Sequence, residues 1–371
     1  MKLVVRICLL WSLAVCSLHS IAQTEIFNIG GPKFLQLSEE VPADLTSQRA
    51  LVVISVPTET QGGYDTRGNW RLLAQKSHKL LRQIGVDPVG YVYVDDLNAG
   101  PEVKNSFLEL MRARRVKNIL YVSRTGTLPN EEFMVMVTPF SEAENGYIAS
   151  GQQAWKETHQ ELERVMIRLG RQVLRQQIER SNFLIPEGPE YLNDLAVFNG
   201  TRYENYPTRL QSLKLAVIAF QKIKPSSDMD EEALSRINYY NSKVDQKNAL
   251  LKEILKNYPY KYELVDVTDE DELYREGFQY ALMPLQSTGR SIKRILNYQN
   301  TSNETHQMST TYKVNGEVIL KKIPADANVT KYYIKQTIIK DIHVGDVWDA
   351  DVSWDQALNN FVFNLRKAFK R

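Results

Sequence analysis

Cysteine is almost missing from this sequence: there are two among 371 residues, Cys8 and Cys16, both close to the amino terminus. If residues 1–22 are removed, the remaining chain has none. That excludes disulfides, thiolate zinc sites and cysteine nucleophiles. An excess of charge is missing too. Two of the 46 basic residues, Lys2 and Arg6, belong to that first segment, which leaves 44 basic against 44 acidic residues. A chain so balanced lacks the bulk field that draws a basic domain to nucleic acid, and none is expected as a partner. The phosphate-loop pattern, the G-x-S-x-G elbow and the H-E-x-x-H zinc motif do not occur. The stretch Gly62-Gly63-Tyr64-Asp65-Thr66-Arg67-Gly68 is glycine-rich without being a dinucleotide fingerprint. His78, His159, His306 and His343 are scattered, so neither a histidine-built metal site nor any cofactor is expected. Past residue 22 no uncharged apolar run is long enough to span a bilayer, and the processed chain is expected to be soluble.

What is present begins with an address. Lys2 and Arg6 precede an apolar run, Ile7–Leu18, and the small-residue exit Ser20-Ile21-Ala22. A basic start, a short apolar core and a small-residue exit are the layout of a secretory signal peptide. Export to the periplasm or beyond is the expectation, with the mature chain starting at Gln23. Val15 ahead of Cys16 is a poor fit to a lipidation site, so a lipid anchor is not expected.

The rest reads as one α/β plan used twice, in residues 23–181 and 208–371. In the first unit, Ala50–Pro57 is a β-branched strand, and Trp70–Ile84 is a helix ended by Gly85. Val89–Val94 is a second strand, Pro101–Val116 a helix with proline in its opening turn, and Ile119–Ser123 a third strand. Glu132–Phe140 and Tyr147–Ser150 read as an antiparallel pair, followed by a long helix, Gln152–Ile178, headed by Trp155. The second unit repeats the order with Leu215–Phe220, helix Glu231–Asn257, Tyr262–Val267, a short helix opening at Thr268, and Tyr280–Leu285. A β-rich insertion follows, with a hairpin expected at Asn315-Gly316, and then a closing helix headed by Trp354. Residues 182–207, with three prolines, read as a linker held down by Phe183, Leu184 and Ile185.

This element order, over Ala50–Val173 and Leu215–Phe369, resembles the small α/β domain of bacterial envelope proteins such as the TolB amino-terminal domain. The resemblance implies protein contacts within the envelope and no catalysis, and it carries over no site residue.

Ligands of open α/β sheets bind beyond the carboxyl ends of the parallel strands. In the first unit those ends carry Glu59, Asp65 and Arg67, then Asp95 and Asp96, then Arg124. Converging, they would form either a ligand site or an internal charge cluster. The second unit offers Lys222, Asp266, Asp269 and Ser287 instead. Arg164, Arg168, Arg171 and Arg175 form a stripe suited to an acidic partner or anionic headgroups, with Glu157 and Glu161 beside them as neutralising neighbours. The sequons at Asn199, Asn300, Asn303 and Asn328 matter only in a eukaryotic secretory route. Three functional readings follow: a binding protein of the cell envelope, a metal-assisted hydrolase using Asp65, Asp95 and Asp96, and a purely structural subunit. The first is the principal expectation.

Overall fold

The computed structural model describes residues 35–127, 129–142, 146–149, 151–193, 195–225, 231–298, 307–314 and 317–370. The expected signal peptide, the Asn315-Gly316 turn, and the sequons at Asn300 and Asn303 lie outside them.

The first unit contains β1 (Gln36–Ser38), β2 (Arg49–Ser55), the small hairpin β3 (Glu59–Gln61) and β4 (Tyr64–Thr66), and helix α1 (Trp70–Ile84). Then come β5 (Asp87–Tyr93), α2 (Val94–Leu97), α3 (Pro101–Ala113), β6 (Val116–Thr125), β7 (Glu132–Pro139), β8 (Gln153–His159) and α4 (Leu162–Arg175). The second unit contains β9 (Arg202–Tyr203), β10 (Leu215–Ile218), α5 (Glu231–Leu255), β11 (Tyr262–Val265), α6 (Glu270–Arg275), β12 (Tyr280–Thr288) and α7 (Gly289–Ile295). It ends with the hairpin β13 (Gln307–Val314) and β14 (Glu317–Pro324), then β15 (Asn328–Gln336), β16 (Ile342–His343) and α8 (Trp354–Ala368).

The duplication is visible in the strand order. The first sheet runs β5-β2-β6-β7-β8-β1 and the second β11-β10-β12-β15-β16-β9. In both, three parallel strands are followed by two antiparallel pairings and a parallel edge strand. The β13–β14 hairpin, inserted between α7 and β15, is the main departure from the common plan.

Strand periodicity sorts side chains into layers. From the first sheet, Ala50, Val52, Ile54, Leu120 and Val122 point towards α1 and α4, where Leu73, Leu81, Val165, Met166 and Leu169 cover them. Leu51, Val53, Ile119 and Tyr121 point the other way, into a core that also holds Phe107 and Met111 of α3. That core continues into the second unit through Ala281, Met283, Leu285, Ile292 and Tyr333. The far face of the second sheet, with Leu215, Val217, Leu282 and Ile334, is covered by α5 and α8 through Leu251, Leu255, Leu358, Phe361 and Leu365. The inner faces of the two sheets therefore share one core.

Four local expectations need correction. Gln152–Ile178 is not one helix. Trp155 lies on β8, and the helix starts at Leu162. Trp155 and the buried side of α4 enter the same cluster, so strand and helix together mimic a single helical stripe. The antiparallel partner of β7 is accordingly β8, not Tyr147–Ser150. The cap of α6 is Asp269, whose side chain accepts from the Glu272 N–H at 2.9 Å, and not Thr268. Finally, Phe183 and Leu184 are exposed, and only Ile185 of that trio is buried. Around residue 191 the segment is tied to β5 by its backbone, Tyr91 N–H donating to the Glu190 carbonyl at 2.8 Å and Leu192 N–H to the Tyr91 carbonyl at 2.9 Å. The Leu192 and Tyr206 side chains are buried, and Arg202–Tyr203, inside the expected linker, is strand β9 of the second sheet.

Candidate functional site

The chain turns sharply after three strand ends, and these turns build the site. Arg67 follows β4, Asp95 and Asp96 open α2 directly after β5, Ser287 is the penultimate residue of β12, and Asn328 opens β15. Both Nη atoms of Arg67 donate to Asp96, Nη1 to Oδ2 at 2.6 Å and Nη2 to Oδ1 at 3.0 Å. Nη2 also donates to Ser287 Oγ at 3.1 Å, and Ser287 Oγ–H donates to Asp96 Oδ1 at 2.5 Å. Asp95 lies 4.0 Å from Arg67 Nη2, and its Oδ2 accepts from Asn328 Nδ2 at 2.7 Å. The guanidinium lies over the Tyr93 ring, 4.1 Å from its centroid, and the Arg67 backbone N–H donates to the Asp326 carbonyl at 2.9 Å. The bidentate fork is the strong form of this ion pair, and here it is nearly dry: the Arg67 and Asp96 side chains are each 9% exposed.

Burial and charge set the protonation of this group. Burial acts to raise Asp96, but the Arg67 charge and hydrogen bonds outweigh it and hold the carboxyl below its ordinary range. For Asp95 burial dominates, and the more distant Arg67 with the Asn328 amide only partly offsets it, so its pKa is raised. Burial acts to lower Arg67, and the Asp96 charge more than compensates.

Of the residues read from sequence, Arg67, Asp95 and Asp96 converge, and Ser287 of the second unit joins them. The other three do not. Glu59 and Asp65 are exposed on the β3–β4 hairpin, where Asp65 faces Thr60. Arg124 pairs instead with Glu131 at 3.1 Å, across the β6–β7 connection. Lys222 pairs with Asp245 on the surface, Asp266 is exposed, and Asp269 serves as a cap.

Two further buried charge groups escaped the sequence reading. Lys331 Nζ, fully buried, donates to Asp349 Oδ1 at 2.5 Å and to the Val344 carbonyl at 2.9 Å, while Asn364 donates to Asp349 Oδ2 at 3.2 Å. Lys335 pairs with Glu270 and lies 3.7 Å from Glu102 of α3. Burial pushes the Glu102 carboxyl up, against the partial offset from Lys335. Part of the signal was present in Asn328–Gln336: Lys331, Tyr333 and Lys335 alternate along one face of a strand that also carries Val329, Tyr332 and Ile334.

The arginine stripe lies on the outer side of α4. Arg168 pairs with Glu157, Arg164 with Glu161 at 3.5 Å, and Arg175 donates to Gln172. Arg171 has no ion-pair partner among the described residues. No group of three His, Cys, Asp or Glu side chains among the described residues is placed to hold a metal ion, and no helix among them is long and apolar enough to cross a membrane. Comparison with protein-family models, curated proteins and solved structures finds no match for this chain.

Proposed function

We propose that the chain is exported, loses residues 1–22, and works by binding, as a two-unit scaffold on the periplasmic or outer side of a cell envelope. One observation carries the binding reading over the hydrolytic one. The carboxylates at the strand ends are closed by residues of the chain itself, with Arg67 occupying both oxygens of Asp96 and Ser287 adding a third bond. An acid held in this way is an inter-unit latch, because Arg67 and Asp96 come from the first unit and Ser287 and Asn328 from the second. The basic start, apolar run and Ser20-Ile21-Ala22 exit support export. The resemblance of the sequence's element order to the TolB-type domain supports a place in envelope assembly or maintenance.

The test is affinity capture of the chain, expressed at its natural level, from cross-linked envelopes, together with its intact mass. The expected result is a reproducible complex with envelope proteins and a mature mass starting at Gln23. A retained 1–22 segment, or a lipid on Cys16, overturns the processing. Hydrolytic turnover that disappears in an Asp95→Asn, Asp96→Asn double variant of unchanged fold overturns the binding role.

A further inference from the structure

The outward side of the first unit carries a concentration of positive charge that the balanced total conceals. Helices α1 and α4 lie side by side over one face of the first sheet: both cover the same core, and a Cβ added at Gly170 would sit 3.6 Å from Ile84. Their inner sides are apolar, and their outer sides are solvent-facing. Helix α1 contains no acidic residue at all and exposes Arg71, Lys76, Lys79 and Arg82. Helix α4 exposes Arg164, Arg168, Arg171 and Arg175 against a single acid of its own, Glu163. Glu157 and Glu161 engage Arg168 and Arg164 only. Lys76, Lys79, Arg82 and Arg171 have no ion-pair partner among the described residues. Set among these cations are three exposed aliphatic side chains, Leu72 (50% exposed), Ile167 (46%) and Leu174 (78%).

We infer that this two-helix face docks on an anionic phospholipid surface. The charge complementarity is direct, because unpaired lysines and arginines near an anionic headgroup layer each contribute favourably and in a salt-dependent way. The aliphatic residues decide for lipid over an acidic protein. A protein hot spot is built from aromatic anchors in a desolvated patch, and the outward side of α1 and α4 presents no Phe, Tyr or Trp. Scattered Leu and Ile at the level of lysine and arginine headgroups suit shallow insertion at the boundary between headgroups and acyl chains. This deepens the envelope-scaffold reading, on which it rests only for which bilayer is met.

The experiment is flotation of the purified processed chain, residues 23–371, with vesicles of equal parts phosphatidylcholine and phosphatidylglycerol, against vesicles of phosphatidylcholine alone. Binding to the anionic vesicles is expected at about 0.1 M salt, and its loss at about 1 M. Lys76→Gln, Lys79→Gln and Arg171→Gln together should weaken partitioning by about 100-fold. Leu72→Ser with Leu174→Ser should weaken it while leaving the salt dependence in place. All five positions are exposed, and an unchanged melting temperature confirms that each variant is folded. The inference is overturned by equal binding to neutral vesicles, by binding that the triple variant retains, or by capture of an acidic protein through this face with no vesicle binding. Because the assay starts from processed protein, its failure leaves the export reading standing, and a retained 1–22 segment leaves the vesicle result standing.

Discussion

Asp95 and Asp96 sit side by side in α2, yet in the same buried setting their pKa values shift in opposite directions. Asp96 has a depressed pKa, so its contribution is fully present above its ordinary unfolded value of about 3.9 and is lost as pH falls through the folded value. Asp95 has a raised pKa, so its contribution is present below about 3.9 and is lost as pH rises through the folded value. Asp96→Asn strands the buried Arg67 guanidinium, and it should cost about 3–5 kcal/mol at neutral pH. Asp95→Asn keeps an oxygen for the Asn328 amide and gives up only a 4.0 Å charge contact. It should change neutral-pH stability by less than about 1 kcal/mol. Urea unfolding of both variants at neutral pH and near pH 3 checks this. The deficit of Asp96→Asn should shrink in acid, and Asp95→Asn should fare best relative to the parent at the higher pH. Equal costs for the two variants would remove the latch. Asp96 was legible as a site residue because acids past a parallel strand end are costly unless something pairs with them. Arg67, at a neighbouring turn of the same unit, was legible beside it. That Ser287 and Asn328 close the group from more than 190 positions away in the chain depends on how the units meet, which strand periodicity does not encode.

At the scale of the element, local chemistry was legible where a single segment carries it. Trp70–Ile84 is a helix with the bounds that its apolar stripe sets, and it ends at Gly85 because the chain there turns left-handed, at φ 99°. The Gly85 N–H donates to the Leu81 and Arg82 carbonyls, and the Val86 N–H also reaches Leu81. Gly85→Ala should cost about 1–2 kcal/mol. Its Cβ enters an unfavourable φ and approaches Arg180 Nε to 2.7 Å, disturbing a side chain that donates to the carbonyls of Gln83 and Arg82. Thermal melts of the variant measure this, and no loss would mean that the turn relaxes freely. Pattern does not separate two segments that share one hydrophobic destination. Trp155 on β8 and Leu162 on α4 enter the same cluster, and their spacing imitated a helix that the exposed Lys156 and the cap at Glu161 interrupt.

For the whole molecule, the decisive feature is that neither unit keeps its core to itself. Phe107 and Met111 of α3 share a cluster with Met283, Leu285 and Tyr333 of the second unit. Glu102 on the same helix lies against Lys335 across that boundary. Close approach of the backbones adds to this: a Cβ at Gly100 would fall 2.8 Å from the Pro284 carbonyl, and the Gln286 N–H donates to the Ala99 carbonyl at 2.7 Å. Unfolding either unit alone would expose the inner sheet face of the other and leave Arg67, Asp95 and Glu102 without their cross-unit partners. Apolar area and buried charge thus oppose an intermediate with one unit folded. A duplicated chain built in this way should unfold as one cooperative body despite its length. Scanning calorimetry of the processed chain is expected to give a single transition, with calorimetric and van't Hoff enthalpies in agreement. Two resolved transitions would show that the shared core contributes too little to couple the units. Ser287→Ala refines the same measurement, because it removes a hydroxyl that bridges Asp96 and Arg67 from the opposite unit. It should lower the one transition by an amount equivalent to about 1–3 kcal/mol. If it instead splits the transition in two, the latch, and not the apolar core, is what makes the halves unfold together.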